Sequence, residues 1–384
     1  MKVVHAYSQH RGGGGAENST QTSIEVLRRY GLDVVGFTRD SRDLPSNLLG
    51  RLKAGANAIY AFESVRSFGA LLDSFRPDVV HVHDVFPLIS PWILPLCTRR
   101  GVPIVMSCED YRPTCPIVTH FRDGEVCTRC LGGREYWAAM KNCRKNVPES
   151  VAVALYSAVV RKSRTFIRHV KRFTAPSEFT RQWLIDHAGI DADKIITIPP
   201  PVNIPATAAD PAAGGYVAFG GRFVPEKGIY TLLEAAQFCQ LPFRLSRNER
   251  YFVNVQIPSG VNVVVTRGRE DLEAFFRGAR MLVCPSIWFE TFGMVGAEAM
   301  SHGIPVVASR IGALSGLVED GVDGLLFEPG NPRDLAEKVQ RLWDDPQLCR
   351  RLGRAAREKV ISLWNPEGYF KRLRDVYEEV CRPC

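Results

Sequence analysis

Met281-Leu282-Val283-Cys284-Pro285-Ser286-Ile287-Trp288-Phe289-Glu290-Thr291-Phe292-Gly293-Met294-Val295-Gly296-Ala297-Glu298-Ala299-Met300-Ser301-His302-Gly303-Ile304-Pro305-Val306-Val307-Ala308 decides the fold. Residues 281–284 and 304–308 are short apolar runs bounded by Pro and Gly, which reads as two strands, and residues 294–302 between them read as a helix. Strands that run the same way need a crossover, usually a helix, so strand, loop, helix and strand in so short a span predict a parallel sheet. Ligands of such sheets bind beyond the carboxyl ends of the strands, which puts the loop after Cys284 at a site. Glu290 lies in that loop, and Thr291-Phe292-Gly293 leads into the helix with its free N–H groups suited to an anion or a ring oxygen. Glu298 sits among Ala and Met on a helix that must pack on the sheet, where a carboxylate without a partner is costly. Carboxylates suit vicinal hydroxyls such as those of a ribose or pyranose.

The same alternation extends in both directions. Residues 216–219 and 261–265 are further strands, and residues 230–238, 271–278 and 332–344 further helices. Upstream, residues 2–7, 34–37, 78–83, 102–106 and 172–175 are strand-like, with a helical pattern at 19–30. Between the two halves, Ile198-Pro199-Pro200-Pro201-Val202-Asn203-Ile204-Pro205 cannot lie inside a helix or a central strand. Two doubly wound α/β domains follow: residues 1–198 with a Cys-rich insertion at 112–146, a linker at 199–205, residues 206–365, and a C-terminal helix at 366–384.

Composition narrows the function. Of 384 residues 45% are hydrophobic and 23% charged, which predicts a soluble globular protein, and no apolar run approaches the ~20 residues of a membrane span. The start of the chain lacks a signal-peptide core, so the expected location is the cytoplasm. A net charge of +8 favours anionic partners, and 11 Cys without an export signal favour a reducing compartment. No stacking motif or nucleic-acid module is present, so nucleic acid is not an expected partner.

Two glycine-rich turns stand out. Gly12-Gly13-Gly14-Gly15 follows the first strand, but Glu17 occupies the position where the dinucleotide fingerprint needs its third glycine, which argues against a dinucleotide-dependent oxidoreductase. Gly220-Gly221-Arg222 ends a strand and Pro225-Glu226-Lys227-Gly228 opens a helix, so Arg222 and Lys227 flank an anion-favouring helix N-terminus; a solvated basic turn is the plain alternative.

Glu290 and Glu298, framed by Pro285-Ser286 and Gly303-Ile304-Pro305, resemble the E-x7-E signature of retaining glycosyltransferase family 4, whose members have the GT-B fold of two Rossmann-like domains facing across a cleft. Gly220-Gly221-Arg222 with Lys227-Gly228 resembles that family's diphosphate motif, and Gly14-Gly15-Ala16-Glu17 its N-terminal loop. His81-Val82-His83-Asp84, Ala175-Pro176-Ser177 and Asp320-Gly321-Val322-Asp323-Gly324 match in kind and order. The resemblance implies transfer of a sugar from a nucleoside-diphosphate donor to a glycan, lipid-linked or small-molecule acceptor, as in cell-surface polysaccharide or glycolipid synthesis, with no cofactor and no metal. It implies that Glu290, Arg222 and Lys227 are catalytic. Gly14, Gly15, Glu298, Phe292, Gly293, Met294 and Val295 would bind the donor, with Glu298 on the ribose, and the C-terminal helix would cross back to the first domain. His83, Glu109 and Asp110 would lie on the acceptor and sugar side.

Two stretches depart from the family. Cys108-Glu109-Asp110-Tyr111 has Glu109 where many members carry a His, and Phe243-Arg244-Leu245-Ser246-Arg247-Asn248 stands in a region that usually holds Gly-Asp-Gly-Pro. The first keeps open a catalytically silent nucleotide-sugar binder; the second leaves the base unassigned.

Cys115, Cys127, Cys130 and Cys143 make a C-x11-C-x2-C-x12-C pattern that suits a structural zinc site, unbound thiols or a redox pair. The run from Arg161 to Arg172, with Phe166, Ile167 and Val170 interspersed, reads as a basic helix, either solvated or resting on the anionic inner face of a membrane.

Overall fold

The computed structural model describes residues 1–9, 15–40, 60–247 and 255–382. Gly14 and the rest of the glycine run before Gly15 lie outside the described residues, as does Asn248. The chain divides into two compact units, Met1–His120 with Cys127–Pro200 and Glu367–Cys384, and Phe121–Val126 with Pro201–Pro366.

In chain order the first strands are β1 (Lys2–Gln9), β2 (Asp33–Asp40), β3 (Val79–Val82) and β4 (Ile104–Ser107). A small antiparallel hairpin follows, β5 (Phe121–Arg122) and β6 (Glu125–Val126), then β7 (Arg172–Ala175) and β8 (Ile195–Thr197). The first unit's sheet runs β2-β1-β3-β4-β7-β8, parallel throughout. Its central strands are covered on both faces, which is why they read as unbroken apolar runs without alternation. Strand order reverses between β1 and β3, so their carboxyl ends frame a crevice. The C-terminal helix Pro366–Cys381 packs on this unit, burying Tyr369, Leu373, Val376 and Tyr377 among Val3, Leu27, Val79 and Val105.

The second unit contributes β9 (Tyr216–Gly220), β10 (Phe243–Arg247), β11 (Val261–Val265), β12 (Ala279–Cys284), β13 (Val306–Ser309) and β14 (Gly324–Phe327). Its parallel sheet runs β11-β10-β9-β12-β13-β14, and the order reverses between β9 and β12. The helix Pro332–Asp344 buries Leu335, Ala336, Val339 and Leu342, the apolar side of its 3.6-residue period. Asn331 caps it by accepting from the N–H groups of Arg333 and Asp334.

The basic run is not one helix. Val147–Ser163 is helical, Arg164 turns left-handed at φ 52°, Thr165–His169 forms a separate short helix, and β7 already begins at Arg172. Phe166 and Val170 pack into the first unit's core, so they offer no face to a membrane. Asp191, Ala192 and Asp193 are exposed at the short turn before β8. Among the described residues no helix is long and apolar enough to cross a membrane.

Candidate functional site

The second unit's crevice is built from two loops that chain geometry forces together. Gly228 follows the turn Pro225–Lys227 with φ +71°, and a Cβ there would sit 1.7 Å from the carbonyl oxygen of Pro285. Only glycine allows that approach, which brings the loop after β9 onto the loop after β12. The N–H of Ile287 donates to the carbonyl of Glu226 at 3.0 Å and ties the two loops again.

Glu290 is the centre of this arrangement. It is 7% exposed, and its Oε1 accepts from Lys227 Nζ at 2.6 Å and from Ser286 Oγ at 2.5 Å. Burial works against its ionisation, but the charge and hydrogen bond of Lys227 and the hydroxyl of Ser286 outweigh it and hold its pKa below the usual carboxylate value. The Lys227 ammonium also stands 5.2 Å from the centre of the Trp288 ring. Gly312 permits the backbone to pass behind the carboxylate: at φ +56°, its Cβ would meet the Glu290 nitrogen at 2.8 Å. Arg222 is more open, with Nη2 3.7 Å from Glu226 Oε1.

Glu298 differs from Glu290. Half-buried on the helix Met294–Ser301, its carboxylate has no hydrogen-bond partner among the described residues, and burial pushes its pKa up to about 7 against the charge of Arg269. Gly293, at φ +99°, precedes that helix. Phe292 turns inward and meets Trp364 edge to face at 5.2 Å, so only its backbone is offered to the crevice. Met294 and Val295 occupy the first turn.

At the first unit's crevice a cavity of about 440 Å³ is lined by Tyr7, Thr20, His83, Asp84, Glu109 and Arg112, with Asp110 beside them. His83, Glu109 and Asp110 are thus brought together. Arg112 Nη2 bonds Asp84 at 2.9 Å, stands 3.7 Å from Asp110 and stacks 4.5 Å from the Phe86 ring centre. Burial pushes Asp110 up to about 6; Arg112 opposes the rise while Asp84 and Glu109 add to it.

Behind the cavity runs a hydrogen-bonded chain that the sequence pattern missed. Register sets His5 on β1 beside His81 on β3, and His83, two residues on, shares its face. His81 Nε2 meets Ser107 Oγ at 2.8 Å and its Nδ1 meets Tyr377 Oη at 2.6 Å. Tyr377 reaches His5 Nε2 at 3.3 Å, and His5 Nδ1 meets His83 Nε2 at 2.9 Å. These bonds can all run either way, and the Glu109 carboxylate beside His83 Nδ1 selects the direction that places a proton there: Ser107 donates to His81, His81 to Tyr377, Tyr377 to His5, and His5 to His83. The Nδ1–H of His83 then faces the Thr20 hydroxyl at 3.3 Å and the Glu109 carboxylate at 3.6 Å, and Thr20 donates to Glu109 at 3.3 Å. Burial, and then the neighbouring His83, lower the pKa of both His5 and His81 well below the usual value, so both are neutral.

The structure does not support the zinc expectation. Burial, followed by the influence of Cys115, Cys143 and Cys127, pushes the Cys130 thiol up to about 12. Among the described residues the group with ligand atoms within 4.8 Å of one another is His5, His81 and His83. None of the four cysteines belongs to that group. In the histidine trio the rings lie 4.4 to 5.1 Å apart, and their nitrogens are engaged with one another and with hydroxyls, which is a hydrogen-bonded chain.

Residues 13–205 match the family model described as Glycosyltransferase Family 4, half of the chain, and residues 209–359 match Glycosyl transferases group 1. The chain belongs to glycosyltransferase family 4. Among relatives of this family member, an uncharacterized glycosyltransferase of Methanocaldococcus jannaschii is 33% identical over 168 residues, 42% of this chain and 47% of that protein. A D-inositol 3-phosphate glycosyltransferase of Streptomyces bingchenggensis is 32% identical over 249 residues, 55% of this chain and 53% of that protein. The chain spans about half the length of the curated relatives it matches. Among solved structures, sucrose-phosphate synthase of Thermosynechococcus elongatus superposes with a TM-score of 0.73 at 19% identity, covering 99% of both chains. Anabaena HepE in complex with UDP gives 0.69 at 18%, covering 99% of this chain and 100% of the other. These likenesses place the two parallel-sheet units in the GT-B fold.

Proposed function

We propose that this family member transfers a sugar, with retention of configuration, from a nucleoside-diphosphate donor to an acceptor hydroxyl. The observation that carries the proposal is the Lys227–Glu290 pair, its carboxylate buried, in the loops after β9 and β12, where the strand order reverses. The site holds its cation ready beside a carboxylate that stays ionised. Lys227, with Arg222, meets the diphosphate; Glu290 holds Lys227 in place and accepts from sugar hydroxyls. Glu298, unpartnered and easily protonated, takes the ribose hydroxyls. HepE was solved with UDP-glucose, which supports a uridine nucleotide as the first donor to try.

In the reaction the bond from the anomeric carbon to the diphosphate oxygen breaks and a bond to the acceptor oxygen forms on the same face. The leaving diphosphate oxygen takes the acceptor proton, and Lys227 and Arg222 stabilise the growing negative charge without a divalent metal. The acceptor enters the cavity beside His83, Glu109 and Asp110. Glu109 accepts an acceptor hydroxyl there, its orientation held through Thr20 and the histidine chain.

Thermal shift tests the donor site. The expected result is that UDP or UDP-glucose raises Tm in the wild type, and that Arg222→Ala and Lys227→Ala lose most of the shift. Stabilisation by NAD or NADP in place of every nucleoside diphosphate would overturn the proposal.

A further inference from the structure

The helix Val147–Ser163 has the wrong outer face for a protein surface. Its inner side buries Ser150, Val153, Ala154 and Tyr156, so the opposite side should be polar. Instead it carries Val147, Val151 and Leu155, spaced four residues apart along one stripe and 58%, 48% and 50% exposed. The helix Tyr136–Met140, packed against it, adds Tyr136 at 53% and Met140 at 69% exposed.

Both ends of the stripe are basic. Lys141, Arg144 and Lys145 are exposed in the turn between the two helices, and Lys162, Arg164, Arg168 and Lys171 are exposed where the longer helix ends. Between Arg134 and Arg172 the acidic residues are Glu135 and Glu149, and each already faces an arginine, Arg161 and Arg144. An apolar band with cations at both margins and paired acids is complementary to a flat anionic surface with an apolar interior. A second copy of the chain is a poorer occupant, because a two-fold interface would set these cations against one another.

We propose that this face docks on an anionic lipid bilayer, with Val147, Val151 and Leu155 below the headgroups and the flanking lysines and arginines at the phosphates. The apolar contact thus comes from the helix preceding Arg164, not from Phe166 and Val170, which pack inward.

Co-sedimentation of the full chain with vesicles of phosphatidylcholine alone, and of phosphatidylcholine with phosphatidylglycerol, tests this directly. The wild type is expected to pellet with the anionic vesicles, to remain in solution with the neutral ones, and to be released by added salt. Val151→Asp with Leu155→Asp should lower partitioning at least ~10-fold, and Lys141→Glu with Lys145→Glu should lower it as well. Ile361→Asp, an exposed apolar position on the second unit, should leave it unchanged. Should the aspartate pair melt early, the milder Val151→Ser with Leu155→Ser takes its place. Equal binding to neutral vesicles, no binding to either, or wild-type binding by the stripe variants would each overturn the proposal. So would a concentration-dependent dimer abolished by Val151→Asp in a protein that ignores vesicles. No donor or acceptor enters the assay, so its outcome is independent of the transfer chemistry.

Discussion

The carboxyl ends of the two sheets occupy the same topological position and are built from different titratable groups, a Lys–Glu pair in one and a chain of buried histidines behind the other. In the second unit burial acts on acids: Glu290 stays ionised because Lys227 and Ser286 reach it, while Glu298, lacking such partners, is pushed up to about 7. In the first unit burial raises the acid Asp110 to about 6 and also acts on bases, driving His5 and His81 to their neutral form. Desolvation penalises the charged form in both places, so whether a group is acid or base decides which way it moves. One crevice therefore keeps a salt-bridged charge ready for a polyanion. The other has a buried, neutral hydrogen-bonded chain ending at the Glu109 carboxylate.

The largest effect separates these roles. Glu290→Ala removes the carboxylate that holds Lys227, and transfer should fall by roughly 10²- to 10³-fold if Glu290 acts in the transition state. Steady-state kinetics with the donor identified by thermal shift, alongside a melt showing the fold intact, measures it. Near-normal turnover would show that Lys227 works without its carboxylate partner, and the contrast between the two crevices would lose its functional meaning.

Glu298 gives the next effect, in stability. Its folded pKa lies above the ordinary value, so the stability linked to its proton is fully present below the unfolded pKa and is lost as pH rises toward and through about 7. Glu298→Gln should therefore match the wild type near the unfolded pKa and exceed it above pH ~7 by roughly 1–3 kcal/mol. Urea unfolding across that range reads the difference, and parallel pH curves for the two proteins would contradict the raised pKa.

The two crevices also differ in how much of them the sequence disclosed. The Glu290 loop and the Lys227 turn each lie within a short contiguous stretch whose glycines and prolines announce a backbone constraint, and the resemblance to the family, not spacing alone, implied that they share one site. The strand and helix alternation was equally local, and the parallel sheets followed from it. His5, His81, Ser107 and Tyr377 meet only because β1 pairs with β3 and the C-terminal helix lies against that sheet. No spacing encodes those contacts, although histidines at alternate positions of apolar strands were a signal that buried polar groups needed partners. The basic run differs from its sequence reading in one respect: a left-handed Arg164 breaks it into two helices, while Phe166 and Val170 pack inward as the buried stripe of a solvated basic segment would.

The smallest effect probes the neutral chain itself. Tyr377 Oη accepts from His81 and donates to His5, so Tyr377→Phe strands two buried ring nitrogens at little cost in packing and should destabilise by about 1–3 kcal/mol at pH 8. The pH dependence distinguishes this loss from loss of the histidines. Folded pKa values below the ordinary 6.5 mean stability that is present above the unfolded pKa and lost as pH falls below it. Tyr377→Phe leaves both imidazoles buried and should keep that acid limb, whereas His81→Phe removes one titrating group and should flatten it. The slope is thus opposite in sign to that of Glu298. If Tyr377→Phe costs nothing and the acid limb persists in His81→Phe, the chain does not order the first crevice, and Glu109 must be held by Thr20 alone.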